Sequence, residues 1–375
     1  MSADSKPFLV AAVAGRALAA SASRAGHTVV VVDCFADRDT RALARDCRSV
    51  VAAHGLRLDG RALLAAAEAL APPGRCAGVV YGSGFEGRTG LLARLLVGRR
   101  RYGNEPSAVA AIKDPRCFLP LLDRLGIRYP EVRLTPPPDP AGWLVKRPGG
   151  AGGAHVRHAG RRRVRAGSYF QRFEKGRGLS ALFLADGRRA RVIGFNEQWT
   201  APARRGRPFL YGGAVGGIAL PPAVESDLRA KLDVLVAATG LVGLNGIDFL
   251  LRGDEWLALE VNPRPTATVE LYDPDYPHGL FDWHLRACEG ELPGHPARPR
   301  AARAHAVVYA ANNVQLSAAF LFPDWCRDLP DPGTRFAPGD PVCTVHAAAA
   351  DAERAVALVR RREAVIRSAM IEQRT

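Results

Sequence analysis

The chain has 375 residues, 47% hydrophobic and 24% charged, with a formal net charge of +15 at pH 7 carried mostly by arginine. That length exceeds one ordinary core and implies roughly two to four structural units, while no apolar run is long enough for a membrane span. Seven scattered cysteines (Cys34, Cys47, Cys76, Cys117, Cys288, Cys326, Cys343) never spaced as CxxC, and histidines without an HxxxH pair, exclude a disulfide framework and a structural zinc site.

In chain order, PFLVAAVA reads as a strand, GRALAASASRAG as a helix ending at Gly26, and HTVVVVD as a second, β-branched strand. This is a parallel βαβ unit. Arg16 interrupts the opening apolar run, so a secretory signal is not expected and the location is expected to be cytoplasmic. Asp33 ends the second strand at the edge where open α/β sheets bind ligands. The single glycine after the first strand argues against a GxGxxG dinucleotide site. The helix 61–70 and the strand 77–84 extend the same sheet, with Gly82 and Gly84 at its edge.

A helix is expected over about 115–125, stopped by Gly126, then a proline-rich connector TPPPDPAGW. The strand GWLVKR leads into VKRPGGAGGAHVRH, a lysine followed by glycines whose N–H groups suit phosphate. SYFQRF is again strand-like, and LSALFLADGRRARVIGFNEQW reads as a hairpin turning at Asp186-Gly187. PAVESDLRAKLDVLVAATG is an amphipathic helix with Leu228, Leu232, Leu235 and Val236 on one face and Gly240 as its cap. HAVVYA, DPVCTVHA and the helix DAERAVALVRRREAVI form a small separate tail unit.

Between them lies IDFLLRGDEWLALEVN, whose register can be tested. A three-residue turn (Gly253, Asp254, Glu255) pairs Ile247 with Val261, Phe249 with Leu259 and Leu251 with Leu257, all apolar on one face. The other face then holds Asp248 opposite Glu260, with Asn262 following. Facing carboxylates raise each other's pKa unless a cation separates them. A hard cation such as Mg²⁺ takes this kind of oxygen set. The bland alternative is a solvated surface hairpin.

The basic runs (Arg99 to Arg101, Arg161 to Arg163, Arg204-Arg205-Gly206-Arg207, Arg360 to Arg362) are short, dispersed and not interleaved with aromatics, so no nucleic-acid partner is expected. No membrane partner is expected either.

Taken together, AIKDP, VKRPGGAGG, YFQRFEKG and LEVNPRP, in that order, resemble the ATP-grasp superfamily of ATP-dependent carboxylate–amine ligases. SGFE, FLADGRR, YGGA and LEVNPRPTATVELYD resemble its subgroup of predicted ATP-dependent carboligases, some linked to pterin or furan C1-carrier metabolism. The resemblance implies an α/β and α+β fold: a parallel α/β domain (1–104), a small lobe with a glycine flap (105–172), a large lobe with the acidic hairpin (173–295) and a small C-terminal subdomain (296–375). ATP is implied as cosubstrate with Mg²⁺, Mn²⁺ being the alternative. Lys113 and Lys146 would meet the phosphates, and Gly149, Gly150, Gly152 and Gly153 would form the flap. Gln171, Arg172 and Phe173 would flank adenine, and Glu174 would take the ribose. There the chain departs from the family's G-x-E-x-S/T pattern, reading Gly176-Arg177-Gly178-Leu179-Ser180. Asp248, Glu260 and Asn262 would hold the metal, and Arg264 would meet the transferring phosphoryl group or the acyl phosphate. Small-molecule carboxylate and amine substrates would lie near Asn196, Glu197, Tyr211, Gly213, Thr266 and Glu270. A homodimer is among the states the resemblance allows. The alternatives are an ATP-binding protein without turnover and a phosphotransferase on the same scaffold.

Overall fold

The computed structural model describes residues 6–53, 56–160, 164–201 and 207–371. The basic run Arg161 to Arg163, and Arg204 to Gly206 of the next, lie outside the described residues.

The first unit contains β1 (Phe8–Ala11), α1 (Arg16–Arg24), β2 (Val29–Asp33), α2 (Arg38–Leu43), β3 (Asp46–Ser49), α3 (Gly60–Leu70), β4 (Gly78–Tyr81), α4 (Thr89–Leu96) and β5 (Arg101–Tyr102). The strands form a parallel sheet in the order β3-β2-β1-β4-β5. Every residue of β1 except Phe8 and all of β2 are buried, as a sheet covered by helices on both faces requires. The short elements α2, β3, α4 and β5 carry too little apolar periodicity to stand out in the sequence. The strand ends place Gly82, Ser83, Gly84, Phe85 and Glu86 at the sheet's C-terminal edge.

Two helices, α5 (Pro106–Lys113) and α6 (Pro115–Arg124), each begin with proline at the first turn. They lead to a four-stranded antiparallel sheet, β6-β9-β7-β8, made of β6 (Val132–Arg133), β7 (Trp143–Lys146), β8 (Arg157–His158) and β9 (Tyr169–Arg172). Leu144 pairs with Gln171 and Lys146 with Tyr169, so these four share one face. Trp143, Val145 and Phe170 pack together on the other.

The largest sheet is antiparallel and has eight strands, β14-β13-β10-β11-β12-β15-β19-β17. It comprises β10 (Arg177–Asp186), β11 (Ala190–Thr200), β12 (Tyr211–Gly216), β13 (Val242–Arg252), β14 (Glu255–Asn262), β15 (Ala302–Tyr309), β17 (Cys326–Arg327) and β19 (Pro341–Ala349). The strands β16 (Val314–Gln315) and β18 (Arg335–Phe336) pair separately. One face of the large sheet is covered by α7 (Pro222–Thr239), whose Leu228, Leu232, Leu235 and Val236 are buried, and Gly240 caps it at φ +64°. The other face is covered by α8 (Val269–Tyr272) and α9 (Gly279–Cys288). The tail is not a separate sheet: β15 pairs with β12, so a boundary near residue 295 falls within one continuous hydrogen-bonded ladder. It does keep its own core, closed by α10 (Ala352–Ile371).

Both described basic runs are engaged locally. Arg99 pairs with Glu68, Arg100 with Glu289 and Arg101 with Glu105. Arg360 pairs with Glu363 and lies over the Trp199 ring, and Arg362 lies over Trp325. Among the described residues no helix is long and apolar enough to cross a membrane.

Candidate active site

The acidic hairpin is β13–β14. Asp248 pairs with Glu260 and Ile247 with Val261, as the hydrophobic pattern predicts, but the ladder shifts beyond them. Phe249 faces Ala258, Leu250 faces Leu257 and Leu251 faces Trp256, with Arg252 opposite Glu255. The turn therefore has two residues, Gly253 and Asp254, with Gly253 at φ +57°. A one-residue bulge at Leu259 restores the offset at Asp248. The expected pairs Phe249–Leu259 and Leu251–Leu257 do not form. Trp256 and Ala258 join the core instead, and Leu259 lines the cleft beside Glu260. The bulge trades an expected core leucine for an apolar wall of the site.

The register continues across the sheet. Glu260, Asp248, Ser180, Asn196 and Gly216 are consecutive partners on β14, β13, β10, β11 and β12. Side chains directly opposite point to the same face, so Asn196 belongs to the row of the two carboxylates. Gln198, two residues on, donates to Asp248 Oδ1 at 2.9 Å, and Asn262 Nδ2 donates to Asp248 Oδ2 at 3.0 Å. Burial and the facing Glu260 push the Asp248 pKa up to about 6.

Lys113, the last residue of α5, reaches this row. Its Nζ donates to Glu260 Oε1 and, at 3.2 Å, to Asn262 Oδ1. Burial works to raise the Glu260 pKa, but Lys113 and Lys146 outweigh it and hold the carboxyl below its ordinary range. Lys146, only 6% exposed, donates to Gln171 Oε1 at 2.8 Å. Burial drives its pKa down against the pull of Glu260.

Two carboxylates and an amide on one face are the oxygen donors that Mg²⁺ takes alongside phosphate. Among the described residues no group of three or more His, Cys, Asp and Glu gathers to hold a metal, in this row or outside it; the row itself offers two carboxylates and an amide. Two buried atoms, Asn196 Oδ1 and His155 Nδ1, have no hydrogen-bond partner. His155 lines the same narrow cleft as Lys113, Arg147, Gly149 and Gln171, and burial lowers its pKa.

Arg264 follows β14 and is 8% exposed. Its Nε donates to Glu86 of the first unit, its Nη1 to Pro265 O at 3.1 Å and its Nη2 to Asn262 Oδ1 at 3.4 Å. Asn104, just before α5, clamps the same segment by donating to Pro263 O at 2.9 Å and Asn245 Oδ1 at 2.8 Å.

The flap glycines lie against both neighbouring units. The Gly152 carbonyl accepts from Tyr211 N at 3.0 Å. Gly149, at φ +68°, approaches the Glu86–Gly87 turn so closely that an added Cβ would lie 2.3 Å from Gly87 Cα. A Cβ on Gly153 would lie 1.7 Å from Phe209 O. Gly150 packs on His155, where a Cβ would come within 2.1 Å of the ring. At the mouth, His158 meets Phe173 and Phe209, ring centroids 5.5 and 5.2 Å away.

The expected adenine and substrate residues do not all converge. Gln171 faces the cleft but its amide oxygen is engaged by Lys146. The N–H groups of Arg172 and Phe173 bond to Glu131 O and Gly142 O at 2.7 and 2.8 Å. Arg172 lies over Trp143 on the far face of the small sheet. Glu174 pairs with Arg252 Nη1 at 2.9 Å, and with Arg172 it lines an open cleft on that far side. Glu197 alternates away from Asn196 and pairs with Arg177. Tyr211 OH bonds His305 Nε2 at 2.7 Å, and Gly213 packs under His305, where a Cβ would lie 2.2 Å from its carbonyl oxygen. Thr266 and Thr268 share a hydroxyl–hydroxyl bond of 2.8 Å. Glu270 forms a two-pronged pair with Arg16 at the start of α1. Glu86, Gln198, His155 and Arg16 were not singled out from the sequence. Strand alternation could have found Gln198; the others are brought in by tertiary structure.

Residues 114–268 match the family model of the ATP-grasp domain. No curated protein matches the chain by sequence. In fold the chain is similar to N5-carboxyaminoimidazole ribonucleotide synthetase from Thermotoga maritima, with TM-score 0.65 and 16% identity over 96% of this chain and 98% of that one. It is also similar to L-amino acid ligase from Bacillus licheniformis, with TM-score 0.67 and 14% identity over 95% and 97% of the two chains. A third similar structure is the biotin carboxylase domain of Hydrogenobacter thermophilus 2-oxoglutarate carboxylase in complex with MgADP, ADP and bicarbonate. Its TM-score is 0.72, with 12% identity over 94% and 88% of the chains.

Proposed function

We propose that the protein, whose residues 114–268 match the model of the ATP-grasp domain, is an ATP- and Mg²⁺-dependent ligase joining a small-molecule carboxylate to an amine. The observation that carries this reading is the hydrogen-bonded cluster of Lys113, Asp248, Glu260, Asn262 and Arg264, with Lys146 close enough to feel the Glu260 charge. The ligase named after L-amino acids and the carboxylase holding MgADP and bicarbonate, both of this fold, support the reaction class and the nucleotide.

In the proposed reaction a substrate carboxylate oxygen attacks the γ-phosphorus of ATP. The bond from that phosphorus to the β–γ bridging oxygen breaks, and ADP leaves. The acyl phosphate is then attacked at its carbonyl carbon by the amine, which loses a proton as inorganic phosphate departs. Asp248, Glu260 and Asn262 are the residues that would hold Mg²⁺, which when bound neutralises phosphate charge and orients the phosphates. Lys146, already desolvated, contributes a compact positive charge to the phosphates at no further desolvation cost. Lys113, bonded to Glu260 and Asn262 here, would be the second lysine available to the phosphates. Arg264 stabilises the charge on the transferring phosphoryl group. The flap backbone excludes water, which would otherwise hydrolyse the acyl phosphate.

The test is a phosphate-release screen of carboxylates crossed with amines. The reading expects Mg²⁺-dependent ADP release that requires a particular carboxylate, and an amide product. Glu260→Ala and Arg264→Ala should each lower that turnover by about a hundredfold or more. Parent-like turnover in both variants rejects the assignment. Tight ATP binding with no product under any pair favours a nucleotide-binding protein on the same scaffold, and a phosphorylated hydroxyl product favours a phosphotransferase.

A further inference from the structure

The Glu86–Gly87 turn of the first unit touches both Arg264 and the flap. Glu86 lies in the loop between β4 and α4, and its side chain is 3% exposed. One carboxylate oxygen accepts from Gly84 N at 2.7 Å, which fixes its direction. The other accepts from Nε of Arg264. This leaves Nη1 and Nη2 of Arg264 with only neutral oxygens, those of Pro265 and Asn262, at 3.1 and 3.4 Å. Such contacts are readily exchanged for an anion, since charge-assisted bonds are about twice as strong as neutral ones. Burial tends to raise the Glu86 pKa, but Arg264 and Lys113 outweigh it and hold it below the ordinary range, so Glu86 stays an acceptor at neutral pH.

The next residue carries the second contact. Gly87 is the surface on which Gly149 of the flap rests, with backbone against backbone. A Cβ on Gly149 would lie 2.3 Å from Gly87 Cα and 2.5 Å from Gly87 N, and at φ +68° it would also be strained. Approach from the other side is tight but less so: a Cβ on Gly87 would lie 3.2 Å from Gly149 O. Two adjacent residues thus hold the arginine and seat the lid.

We propose that the Glu86–Gly87 turn is a positioning element shared by Arg264 and the flap: Glu86 fixes the guanidinium with both Nη groups available to the terminal phosphoryl group, and Gly87 is the seat on which Gly149 closes. The proposal rests on the ligase reading of the cleft. Its consequence is that the site recognises a closed, triphosphate-loaded state through the first unit as well as through the ATP-grasp lobes.

The experiment uses the full chain with two probes, MgADP and the Mg²⁺ complex of the β,γ-imido analogue of ATP. Calorimetry gives each Kd, and tryptic cleavage after Arg157, at the C-terminal end of the flap, reports closure. Nucleotide-free melting verifies folding. In the parent, both nucleotides bind and the analogue protects the flap. Glu86→Gln keeps protection and keeps the MgADP Kd within about twofold, but weakens the analogue about tenfold. Arg264→Gln has the same signature, and the Glu86→Gln/Arg264→Gln double variant is no weaker than Arg264→Gln alone, because both changes remove one unit. Gly149→Ala abolishes protection; if it is not recovered folded, Gly87→Val carries the same expectation. The proposal is overturned by parent-like protection in the glycine variant, by a parent-like analogue Kd in Glu86→Gln, or by additive losses in the double variant. A parent that binds neither nucleotide rejects the ligase reading itself. Arg264→Gln with a parent-like analogue Kd removes the role of that arginine, and the positioning role with it.

Discussion

Lys113 bridges Glu260 and Asn262, two of the three residues that would take a divalent cation. A side-chain ammonium from α5 thus holds part of the position that the metal would claim, and the carboxylate beside it is kept ionised and oriented.

Lys113→Met should expose that dual role. Without metal, Glu260 loses its partner in a largely buried site, and unfolding stability should fall by about 2 kcal/mol. Saturating MgADP should recover part of the loss. Thermal unfolding with and without MgADP measures both effects; an unchanged midpoint in the metal-free variant would show that the ion pair contributes nothing.

Asp248 predicts the pH dependence of metal binding. Its pKa stands at about 6, so a proton competes with the cation below that value. Mg²⁺ affinity should be level above about pH 7 and fall as pH drops through 6, approaching tenfold per unit. Isothermal titration of MgADP across pH 5 to 8 reads the slope, and Asp248→Asn should bind weakly with no such slope.

Neighbouring residues on β11 should behave oppositely. Gln198→Ala removes a hydrogen bond to Asp248 and should weaken MgADP by about fivefold. Glu197→Ala alters only an exposed pair with Arg177 on the other face and should leave MgADP binding within about twofold.

Glu270 ties stability to acid. Burial alone would raise its pKa, but Arg16 and then His346 outweigh this and hold it at about 2, against 4.5 for the free side chain. The pair contributes stability above about pH 4.5, and that contribution is lost as pH falls through 2. The shift corresponds to about 3 kcal/mol. Denaturant unfolding between pH 2 and 6 should show a steeper acid loss in the parent than in Glu270→Gln.

Much of the scaffold is legible from pattern alone. The β-branched run of β2, the amphipathic α7 and the Asp186-Gly187 hairpin are local, because strand and helix periods and turn chemistry act over a few residues. The facing of Asp248 and Glu260 is legible too, since burial of one hairpin face selects the register. The bulge at Leu259 is not: a two-residue turn with a bulge and a three-residue turn without one bring the same two carboxylates together. Only the packing of Trp256 and Ala258 into the core under α7 chooses between them.

By itself, then, the sequence determined the order of the longer elements, the paired carboxylates and the two lysines with their glycine loop. The tertiary structure decided which groups those residues meet. Glu86 lies 178 positions from Arg264, and Arg16 lies 254 from Glu270. Lys113 lies 147 from Glu260. No periodicity spans such separations. The partners are set by how the parallel sheet, the small lobe and the large sheet stack, and burying their ionised groups was possible only because the fold delivers an opposite charge to each.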